Sequence, residues 1–409
     1  MASFVQAFRS RRIAAITLLG FAQGLPLALT AGLLQAWMAS EKVDLTLIGI
    51  FSLVGLPYTV KFLWSPLMDR FVPPFLGRRR GWMLLTQIGL ILFIAGMAFA
   101  NPVLEPKTMA LLALIVAFLS ASQDIVVDAY KVEVLTQEEY GPGASSNIMA
   151  YRLGYLFSGA IGLILADHMS WNSVYLIMAA MMSVGVLTTL WAPEPKTEIK
   201  PPRSLKEAVV LPWIQFLKRR GSGEIIAFIV LYRLDVIVAI ALTTPFMLSL
   251  GFTKTDIGAI NKGFGVASTI VGVMLGGMLM SRISMKQSLW TFGILQGISN
   301  LTFMYLAHVG HSYPTLIAAI ALENFFSGMG TAAFTVFLMS LCDKRFTATQ
   351  YALLSSLMAV TRVVASAPTG YLAKNVGWET YFVVATLLAI PGLLLLLRYD
   401  RWVFPVEAK

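Results

Sequence analysis

The sequence has little cysteine, little histidine and little charge. One cysteine, Cys342, stands among 409 residues, so an internal disulfide and a site of clustered thiolates are excluded. The three histidines fall in short polar intervals, and we predict no metal site. Charged residues make up 13% of the chain, against about 25% in soluble domains. A water-exposed globular domain is therefore excluded.

Motifs of enzymes and pumps are missing as well. The sequence contains no H-E-x-x-H, no G-x-S-x-G and no G-x-x-x-x-G-K-[ST] segment, which are the signatures of zinc peptidases, serine hydrolases and ATP-driven pumps. We expect no enzyme, no catalytic residue and no cofactor. The enzyme alternative is an intramembrane enzyme acting on lipid-linked sugars, which would need facing acids or a metal cluster.

Apolar stretches recur along the whole chain, and hydrophobic residues make up 57% of it. Most stretches approach the ~20 residues that a helix needs to cross a bilayer. We predict an all-α integral membrane protein with twelve transmembrane helices, which we call spans 1 to 12. They cover about 13–38, 44–68, 82–100, 108–134, 144–166, 171–192, 223–249, 255–281, 286–307, 313–340, 349–373 and 378–397.

The positive charges predict the orientation of these spans. The net charge is +10, and 22 of the 31 Lys and Arg residues fall at the termini and around the loops after even-numbered spans. The loops after odd-numbered spans hold only Lys42, Lys107, Lys254 and Lys374. By the positive-inside rule both termini are predicted to be cytoplasmic, and the basic residues face anionic lipid instead of nucleic acid.

A polar interval at 193–222 divides the spans into six plus six. We predict an N-terminal six-helix bundle at 1–192, a cytoplasmic linker at 193–222 and a C-terminal six-helix bundle at 223–409. The halves resemble each other: Tyr151-Arg152 precedes Trp171, and Thr361-Arg362 precedes Trp378. Such a parallel duplication is typical of one transporter architecture.

Glycines and prolines predict close contacts and kinks. Gly20-x-x-x-Gly24 and Gly272-x-x-x-Gly276 favour close helix packing. Pro26 in span 1 and Pro57 in span 2 are expected to kink or loosen their helices, because proline removes a backbone hydrogen bond.

The loop after span 2 resembles the signature of the major facilitator superfamily, G-x-L-a-D-r-x-G-r-[RK]-x-[RK]. It reads SPLMDR at 65–70 and GRRR at 77–80, with serine for the first glycine and about five additional residues. The resemblance implies a conformational latch at the helix ends, and Asp69 is expected near the N-terminus of a neighbouring helix. The residues of this predicted latch are Asp69, Arg70, Arg78, Arg79 and Arg80.

Longer strings resemble the AmpG muropeptide permeases. They are GFAQGLPLALT at 20–30, LQAWM at 34–38, KFLWSPLMDR at 61–70, GRRRGW at 77–82 and SASQDIV at 120–126. The resemblance is dense in the first half and implies proton-driven import, across a bacterial inner membrane, of N-acetylglucosamine–anhydro-N-acetylmuramic acid and its peptides. The implied partners are this sugar-peptide, protons and lipids, and we expect a monomer. The alternative cargo is another large polar anion, such as acetyl-CoA or a siderophore.

Two acids inside span 4 are the candidates for proton coupling. Asp124 and Asp128 are four residues apart and share one helix face. An intramembrane carboxylate is expensive and is usually functional. We predict that one of the two carries the proton and that Arg152, at the same depth in span 5, is its partner. The alternative is a permanent structural pair, with Asp128 on Lys131 and Asp124 on Arg152.

An anionic sugar-peptide needs cations, amides and aromatic surfaces. Polar and aromatic residues inside or near the spans are therefore predicted to bind it, with arginine suited to carboxylates. These candidates are Gln35, Tyr58, Lys61, Gln123, Tyr151, Arg233, Asn261, Lys262, Glu323, Asn324 and Arg362.

Overall fold

A computed structural model of the protein describes residues 10–43, 47, 51–195, 202, 204–253 and 256–402. The side chains at 52, 205, 206 and 262 lie outside this described part. The described residues form helices and loops, without a β-strand. Helices occupy the described portion of all twelve predicted spans. Within these residues, nine helices are both long and apolar enough to cross a membrane.

The first six spans are helices joined by short loops. Span 2 is divided into four short pieces, which explains why it does not count as a long apolar helix. The helical segments are Arg11–Thr30 and Gly32–Ser40 (span 1); Ser52–Gly55, Leu56–Val60, Lys61–Leu63 and Ser65–Arg70 (span 2); Gly77–Phe99 (span 3); Pro106–Val134 (span 4); Tyr140–Leu156, Phe157–Ile161 and Gly162–Ala166 (span 5); and Trp171–Met181 and Ser183–Trp191 (span 6).

The second six spans follow a helix at Leu205–Leu217. Spans 9 and 11 are helical but more polar than the others, so they are not among the nine long apolar helices. The segments are Ser222–Leu231, Leu234–Ala241 and Thr243–Ser249 (span 7); Ile257–Phe264 and Gly265–Met280 (span 8); Met285–Val309 (span 9); Tyr313–Ser340 (span 10); Thr347–Ser366 (span 11); Thr369–Leu387 (the end of span 11 and the start of span 12); and Ala389–Leu395 and Leu396–Arg401 (span 12).

The boundary between spans 11 and 12 lies inside the helix Thr369–Leu387. Gly377 has φ +74° and ψ +168°, a conformation that favours glycine and interrupts the helical path. The sequence prediction ended span 11 near 373 and began span 12 at 378, and the non-helical glycine falls between these positions. The breaks near the prolines also match expectation, because span 1 is interrupted at Ala31 after Pro26 and Pro57 opens a five-residue helix.

Contacts group the chain into two compact units. Unit 1 comprises 1–212 with 339–356, and unit 2 comprises 213–338 with 357–409. Unit 1 has a buried core drawn from spans 1, 2, 3, 4 and 6, which includes Leu29, Ile94 and Met178. Unit 2 has its own core, which includes Phe246, Phe303 and Phe382. The predicted domain limits remain a prediction.

Glycines allow the closest helix contacts in each unit. A Cβ added to Gly24 would lie 2.0 Å from the carbonyl oxygen of Tyr151, and a Cβ added to Gly154 would lie 2.2 Å from that of Phe21. Spans 1 and 5 therefore meet backbone to backbone. In unit 2, a Cβ on Gly272 would lie 1.9 Å from the carbonyl oxygen of Phe325.

Candidate functional site

Buried polar groups of unit 1 gather around the two acids of span 4. Asp124 and Asp128 lie on one face of the helix Pro106–Val134, as their spacing predicts. The neighbouring spans supply amides and lysines to this face. We call the group the core cluster; its members are Gln23, Lys61, Asp124, Asp128, Lys131 and Asn147.

Asp128 is compensated by two lysines. Lys131 Nζ lies 2.9 Å from Oδ1 of Asp128, one helical turn away. Lys61 Nζ of span 2 lies 3.9 Å from Oδ2. Both lysines are at least nine-tenths buried. A buried charge is tolerated when it is paired, and each of these three charges has a partner of opposite sign. The triplet carries one net positive charge when all three groups are ionised.

Asp124 is held by an amide instead of a cation. Gln23 Nε2 of span 1 donates to Oδ1 of Asp124 at 3.1 Å. Gln23 Oε1 accepts from Asn147 Nδ2 of span 5 at 3.1 Å. Asn147 Oδ1 in turn accepts from Lys131 Nζ at 3.0 Å. A continuous hydrogen-bonded chain thus joins Asp124 to the ion pairs of Asp128 through three spans.

Gln23, Lys131 and Lys61 make the contacts of the two acids in the structure. The rotation of span 5 directs Asn147 toward Lys131 of span 4. The contact of Asp128 with Lys131, which belongs to the alternative of a structural pair, is present. The pairing of Arg152 with either acid stays a prediction. Polar residues inside spans 1 and 5 were the signal for the missed amides.

The other predicted substrate residues of unit 1 are distributed over several environments. Gln35, Tyr58 and Tyr151 are partly buried. Gln123 is fully buried, and its two amide atoms have no hydrogen-bond partner within the described part of the chain. Gln123 therefore does not share the Asp124 chain, although it precedes that acid directly.

A second cluster of buried polar residues lies where spans 2 and 4 end and spans 3 and 11 begin. Asp69 accepts hydrogen bonds from the backbone N–H of Thr349 at 2.8 Å and of Ala348 at 3.3 Å, and from Thr349 Oγ1 at 2.7 Å. These donors belong to the first turn of Thr347–Ser366. A carboxylate there satisfies otherwise unpaired N–H groups and complements the helix dipole. The predicted position of Asp69 near a helix N-terminus is thus confirmed.

Arg79 connects Asp69 to Glu133. Its Nη2 lies 2.7 Å from Oδ1 of Asp69 and 2.5 Å from Oε1 of Glu133, and Nε lies 3.0 Å from the same glutamate oxygen. Thr347 donates to Glu133, and Arg78 lies 3.2 Å from it. We call these six residues the end cluster: Asp69, Arg78, Arg79, Glu133, Thr347 and Thr349. The sequence prediction missed Glu133, because this acid stands at the boundary of span 4.

Two predicted latch residues lie elsewhere. Arg80 donates to the carbonyl oxygens of Thr189 and Leu190 at 2.9 and 2.8 Å, where it caps the C-terminal end of span 6. Arg70 lies over the ring of Phe71 at 5.6 Å. The end cluster therefore uses Arg78 and Arg79 of the predicted arginines, since only these face Glu133.

A smaller polar contact holds the loop between spans 4 and 5. Glu139 accepts from Ser10 Oγ at 2.7 Å, from the backbone N–H of Thr136 at 3.1 Å and from Arg12 Nη1 at 3.3 Å. Partial burial opposes ionisation, but these donors together hold the pKa of Glu139 below its ordinary value of 4.5. The ionised glutamate thus anchors the start of span 1.

In unit 2, Arg233 of span 7 interacts electrostatically with two other predicted substrate residues, Glu323 and Arg362. Arg233 lies between two helical segments of span 7 and donates to Thr331 Oγ1 at 2.9 Å and to Ser327 Oγ at 3.2 Å. Asn324 accepts from Thr269 at 3.0 Å. Glu323 is buried, Asn261 is partly buried and Arg362 is exposed, while the side chain of Lys262 lies outside the described residues.

In the described ranges, no group of three or more His, Cys, Asp or Glu side chains is placed to hold a metal ion. The clusters instead combine isolated carboxylates with lysine, arginine and amide groups. Such arrangements suit the exchange of protons and the binding of anions.

Comparison with protein families identifies the architecture. The family model described as Major Facilitator Superfamily matches residues 15–247 and 224–403. The chain belongs to the major facilitator superfamily. It is therefore an all-α, multi-pass membrane transporter and not an enzyme. Solved structures have the same fold. The superposition on the superfamily transporter FucP covers 96% of this chain and 99% of FucP, with a TM-score of 0.74 at 11% identity. The proton:xylose symporter XylE gives a TM-score of 0.69 at 12% identity, with 95% of each chain covered.

Curated relatives within the superfamily are much more similar in sequence. The chain is 48% identical over 396 residues to the anhydromuropeptide permease of Escherichia coli K12, which covers 96% of this chain and 81% of that protein. It is 31% identical to a protein of Rickettsia felis named putative transporter AmpG 4, with 96% and 98% covered. An uncharacterized protein of Haemophilus influenzae is 37% identical, with 98% and 96% covered. The resemblance stated from the sequence is thus confirmed.

Proposed function

We propose that this superfamily member is a proton-coupled carrier that imports anhydromuropeptides across a bacterial inner membrane by alternating access. The observation that carries the substrate class is the 48% identity to the E. coli anhydromuropeptide permease, which extends over 96% of the chain. An alignment of this length includes both clusters of unit 1 and the polar residues of unit 2. The proposed cargo is N-acetylglucosamine–anhydro-N-acetylmuramic acid with or without its peptide.

The core cluster supports the proton step. Asp128 is engaged by two lysines, so a change in its charge would leave two buried cations without their ion-pair partner. The carboxylate of Asp124 accepts a hydrogen bond from the amide of Gln23. Neutralising Asp124 breaks none of the ion pairs of 4 Å or less among the described side chains. We therefore assign the exchange of the proton to Asp124 and a fixed charge to Asp128.

The chain Asp124–Gln23–Asn147–Lys131 provides the coupling between these charges. A proton that arrives on Asp124 changes what Gln23 can donate to, and the change is transmitted through Asn147 to Lys131. Charge-coupled hydrogen-bond chains of this kind respond as a unit. Lys131 also lies 5.6 Å from the ring of Tyr351. The protonation of one acid in span 4 is thereby linked to groups on three other spans, 1, 5 and 11.

Cationic and amide side chains of each unit are the proposed contacts of the anionic cargo. Lys61 and Arg152 in unit 1 and Arg233 and Lys262 in unit 2 are the candidate cations. Arg233 donates to two hydroxyl groups and forms no ion pair within 4 Å in the described chain, so its charge is available to a carboxylate of the ligand. A hydrogen bond to a charged group contributes about 1.5–3 kcal/mol.

The end cluster is the proposed conformational latch. Its carboxylate–arginine contacts join spans 2, 3 and 4 to the first turn of span 11 with buried charges. Opening this contact would expose the carboxylates of Asp69 and Glu133 to water, which would hydrate them. The latch is therefore a two-state element whose closed form needs both acids ionised.

Orientation follows from the distribution of positive charge. The concentration of Lys and Arg around the termini and the loops after even-numbered spans supports cytoplasmic termini. The end cluster would then face the cytoplasm. Reporter fusions at the C-terminus and after span 3 test this placement, and an external C-terminus would contradict it.

The decisive experiment is uptake of radiolabelled anhydromuropeptide into vesicles that contain the purified protein, with and without an imposed pH gradient. We expect accumulation against the concentration gradient only when the pH gradient is present. Asp124→Asn is expected to abolish this accumulation but to retain exchange of labelled for unlabelled ligand. The matched control is Asp400→Asn, since Asp400 is exposed and pairs with Lys286 at the surface.

Competition separates the cargo classes. Unlabelled anhydromuropeptide should compete with the label, whereas acetyl-CoA and a siderophore should not. Absence of uptake by the wild-type protein in folded, monodisperse preparations would contradict the substrate class. Uphill uptake by Asp124→Asn at the wild-type level would contradict the assignment of the proton.

A further inference from the structure

A buried acid in span 7 forms no ion pair of 4.0 Å or less within the described part of the chain. Asp235 has no exposed surface and stands in the first turn of the helix Leu234–Ala241. Gln296 of span 9 donates from Nε2 to Oδ1 of Asp235 at 3.0 Å and to Oδ2 at 3.2 Å. An isolated carboxylate inside a membrane protein is costly and usually has a task.

The neighbouring arginine interacts with this acid electrostatically but makes no hydrogen bond to it. Arg233 is two residues earlier, but its guanidinium donates to Ser327 and Thr331 of span 10. Within the described residues, no side-chain nitrogen of Lys or Arg lies within 4.0 Å of a carboxylate oxygen of Asp235. The acid and the arginine therefore face different partners, although they are close in sequence.

The pair repeats an arrangement found in unit 1. There, Gln23 Nε2 donates to Asp124 at 3.1 Å without an ion pair. Each unit thus contains an aspartate, partly buried in unit 1 and fully buried in unit 2, whose carboxylate accepts from a glutamine amide. We propose that Asp235 is a second proton-binding group of the carrier, located in unit 2 and held in both protonation states by Gln296.

A glutamine is suited to both states of the acid. Its Nε2–H donates to the carboxylate, and after rotation of the amide its Oε1 accepts from the carboxylic O–H. Gln296 Oε1 has no hydrogen-bond partner among the described groups, so the rotation of the amide breaks no hydrogen bond to this oxygen. Gly330 leaves room for this end of the amide, because an added Cβ would lie 2.4 Å from Oε1.

The other ionisable groups around the pair define the field in which Asp235 exchanges its proton. Helix dipole and amide favour the charged form, while burial opposes it. The groups with electrostatic interactions in this neighbourhood come from spans 7, 10 and 11, and span 12 contributes a tyrosine whose hydroxyl donates to the backbone of span 7. They are Tyr232, Arg233, Glu323, Arg362 and Tyr381.

Infrared difference spectroscopy of the purified wild-type protein tests the proton directly and needs no substrate. We expect a protonated-carboxyl C=O band that appears and disappears with pH and is lost in Asp235→Asn. The band should remain in Asp124→Asn and in the surface control Asp400→Asn. Gln296→Leu should shift the midpoint of its titration, because the hydrogen bond to the carboxylate is gone. This second variant keeps the acid itself and guards against misfolding of Asp235→Asn.

Three results would overturn the proposal: a spectrum of Asp235→Asn equal to that of the wild type over the whole pH range, a band that is present but does not titrate, or a Gln296→Leu midpoint equal to the wild-type midpoint. Each would mean that Asp235 keeps one protonation state or that Gln296 does not hold it.

The role in coupling rests on the proposed function and is measured separately. The number of protons carried per anhydromuropeptide, obtained from equilibrium accumulation at several imposed pH gradients, should fall by one in Asp235→Asn. An unchanged number would contradict a second coupled proton. If the wild-type protein carries no anhydromuropeptide, the proposed function fails, and the spectroscopic result still decides whether Asp235 binds a proton.

Discussion

Gln23 holds Asp124 by a single amide hydrogen bond of 3.1 Å, whereas Asp128, one turn further along the same helix, lies between two lysines. Two aspartates on the same face of one helix thus differ in electrostatic environment. The difference follows from which neighbouring spans approach each turn of span 4. It gives the two carboxylates different expected responses to mutation.

Removal of the charge on Asp128 should destabilise the fold more than removal of the charge on Asp124. Asp128→Asn removes the ion-pair partner of the buried Lys61 and Lys131, which costs about 3–5 kcal/mol for a broken buried pair. Asp124→Asn retains an oxygen that accepts from Gln23 and should stay close to wild type. Thermal unfolding in detergent measures both. Equal melting temperatures for the two variants would contradict the assignment of the fixed charge.

Loss of one hydroxyl at the end cluster should have a modest effect on stability. Thr349→Ala removes the hydrogen bond of 2.7 Å from Thr349 Oγ1 to Asp69 but retains the backbone bond. We expect a loss of about 1 kcal/mol, seen as a lower melting temperature. Thr349→Ser keeps the hydroxyl and serves as the matched control. A similar loss in both variants would mean that the threonine methyl group, and not the hydroxyl, matters.

The contact between spans 1 and 5 should not tolerate a methyl group. Gly24→Ala places a Cβ 2.0 Å from the backbone oxygen of Tyr151, so the helices must separate. Overpacking of this kind typically costs about 1–3 kcal/mol. Gly223→Ala is the control, because a Cβ there meets no atom within 4 Å. It should be neutral or stabilising by up to about 1 kcal/mol. A neutral Gly24→Ala would contradict the close approach.

The anchor at Glu139 should make stability depend on pH in the acidic range. The folded pKa lies below the ordinary 4.5, so the stabilisation is fully present above 4.5 and is lost as the pH falls through the folded value. Glu139→Gln should therefore melt below the wild type near neutral pH, and the difference should vanish in acid. The neighbouring Glu138→Gln is the control, since Glu138 is exposed. A difference that persists in acid would exclude the ionic contribution.

The helices and the face shared by the two acids could be predicted from the sequence, because apolar length and a spacing of four residues are local properties. The breaks at Pro57 and Gly377 are local too. The partners of Asp124 and Asp128 are not local. They depend on the rotation of spans 1, 2 and 5 about their axes, which is set by packing such as the contact of Gly24 with Tyr151. Arg152 was at the right depth, yet Asn147 is the residue turned toward Lys131.

The end cluster shows the same limit. A carboxylate followed by arginines predicted a contact with some helix N-terminus, and Asp69 makes one. The identity of that helix was not predictable, since Thr349 is 280 residues away in the chain. The role of Glu133 in binding Arg79 was likewise missed, because an acid at a span boundary is indistinguishable from a solvated loop residue.

The sequence distance within the end cluster has a consequence for biosynthesis. Asp69 and Arg79 leave the ribosome long before Thr349, which is 280 residues beyond Asp69. At ~5–20 residues per second, roughly 14–56 seconds pass before the donors of span 11 exist. During this interval the carboxylate of Asp69, which is buried in the folded protein, lacks the backbone N–H donors of span 11. Chains truncated before 347 lack these donors of Asp69, and we therefore expect membrane proteases to degrade them faster than the full chain.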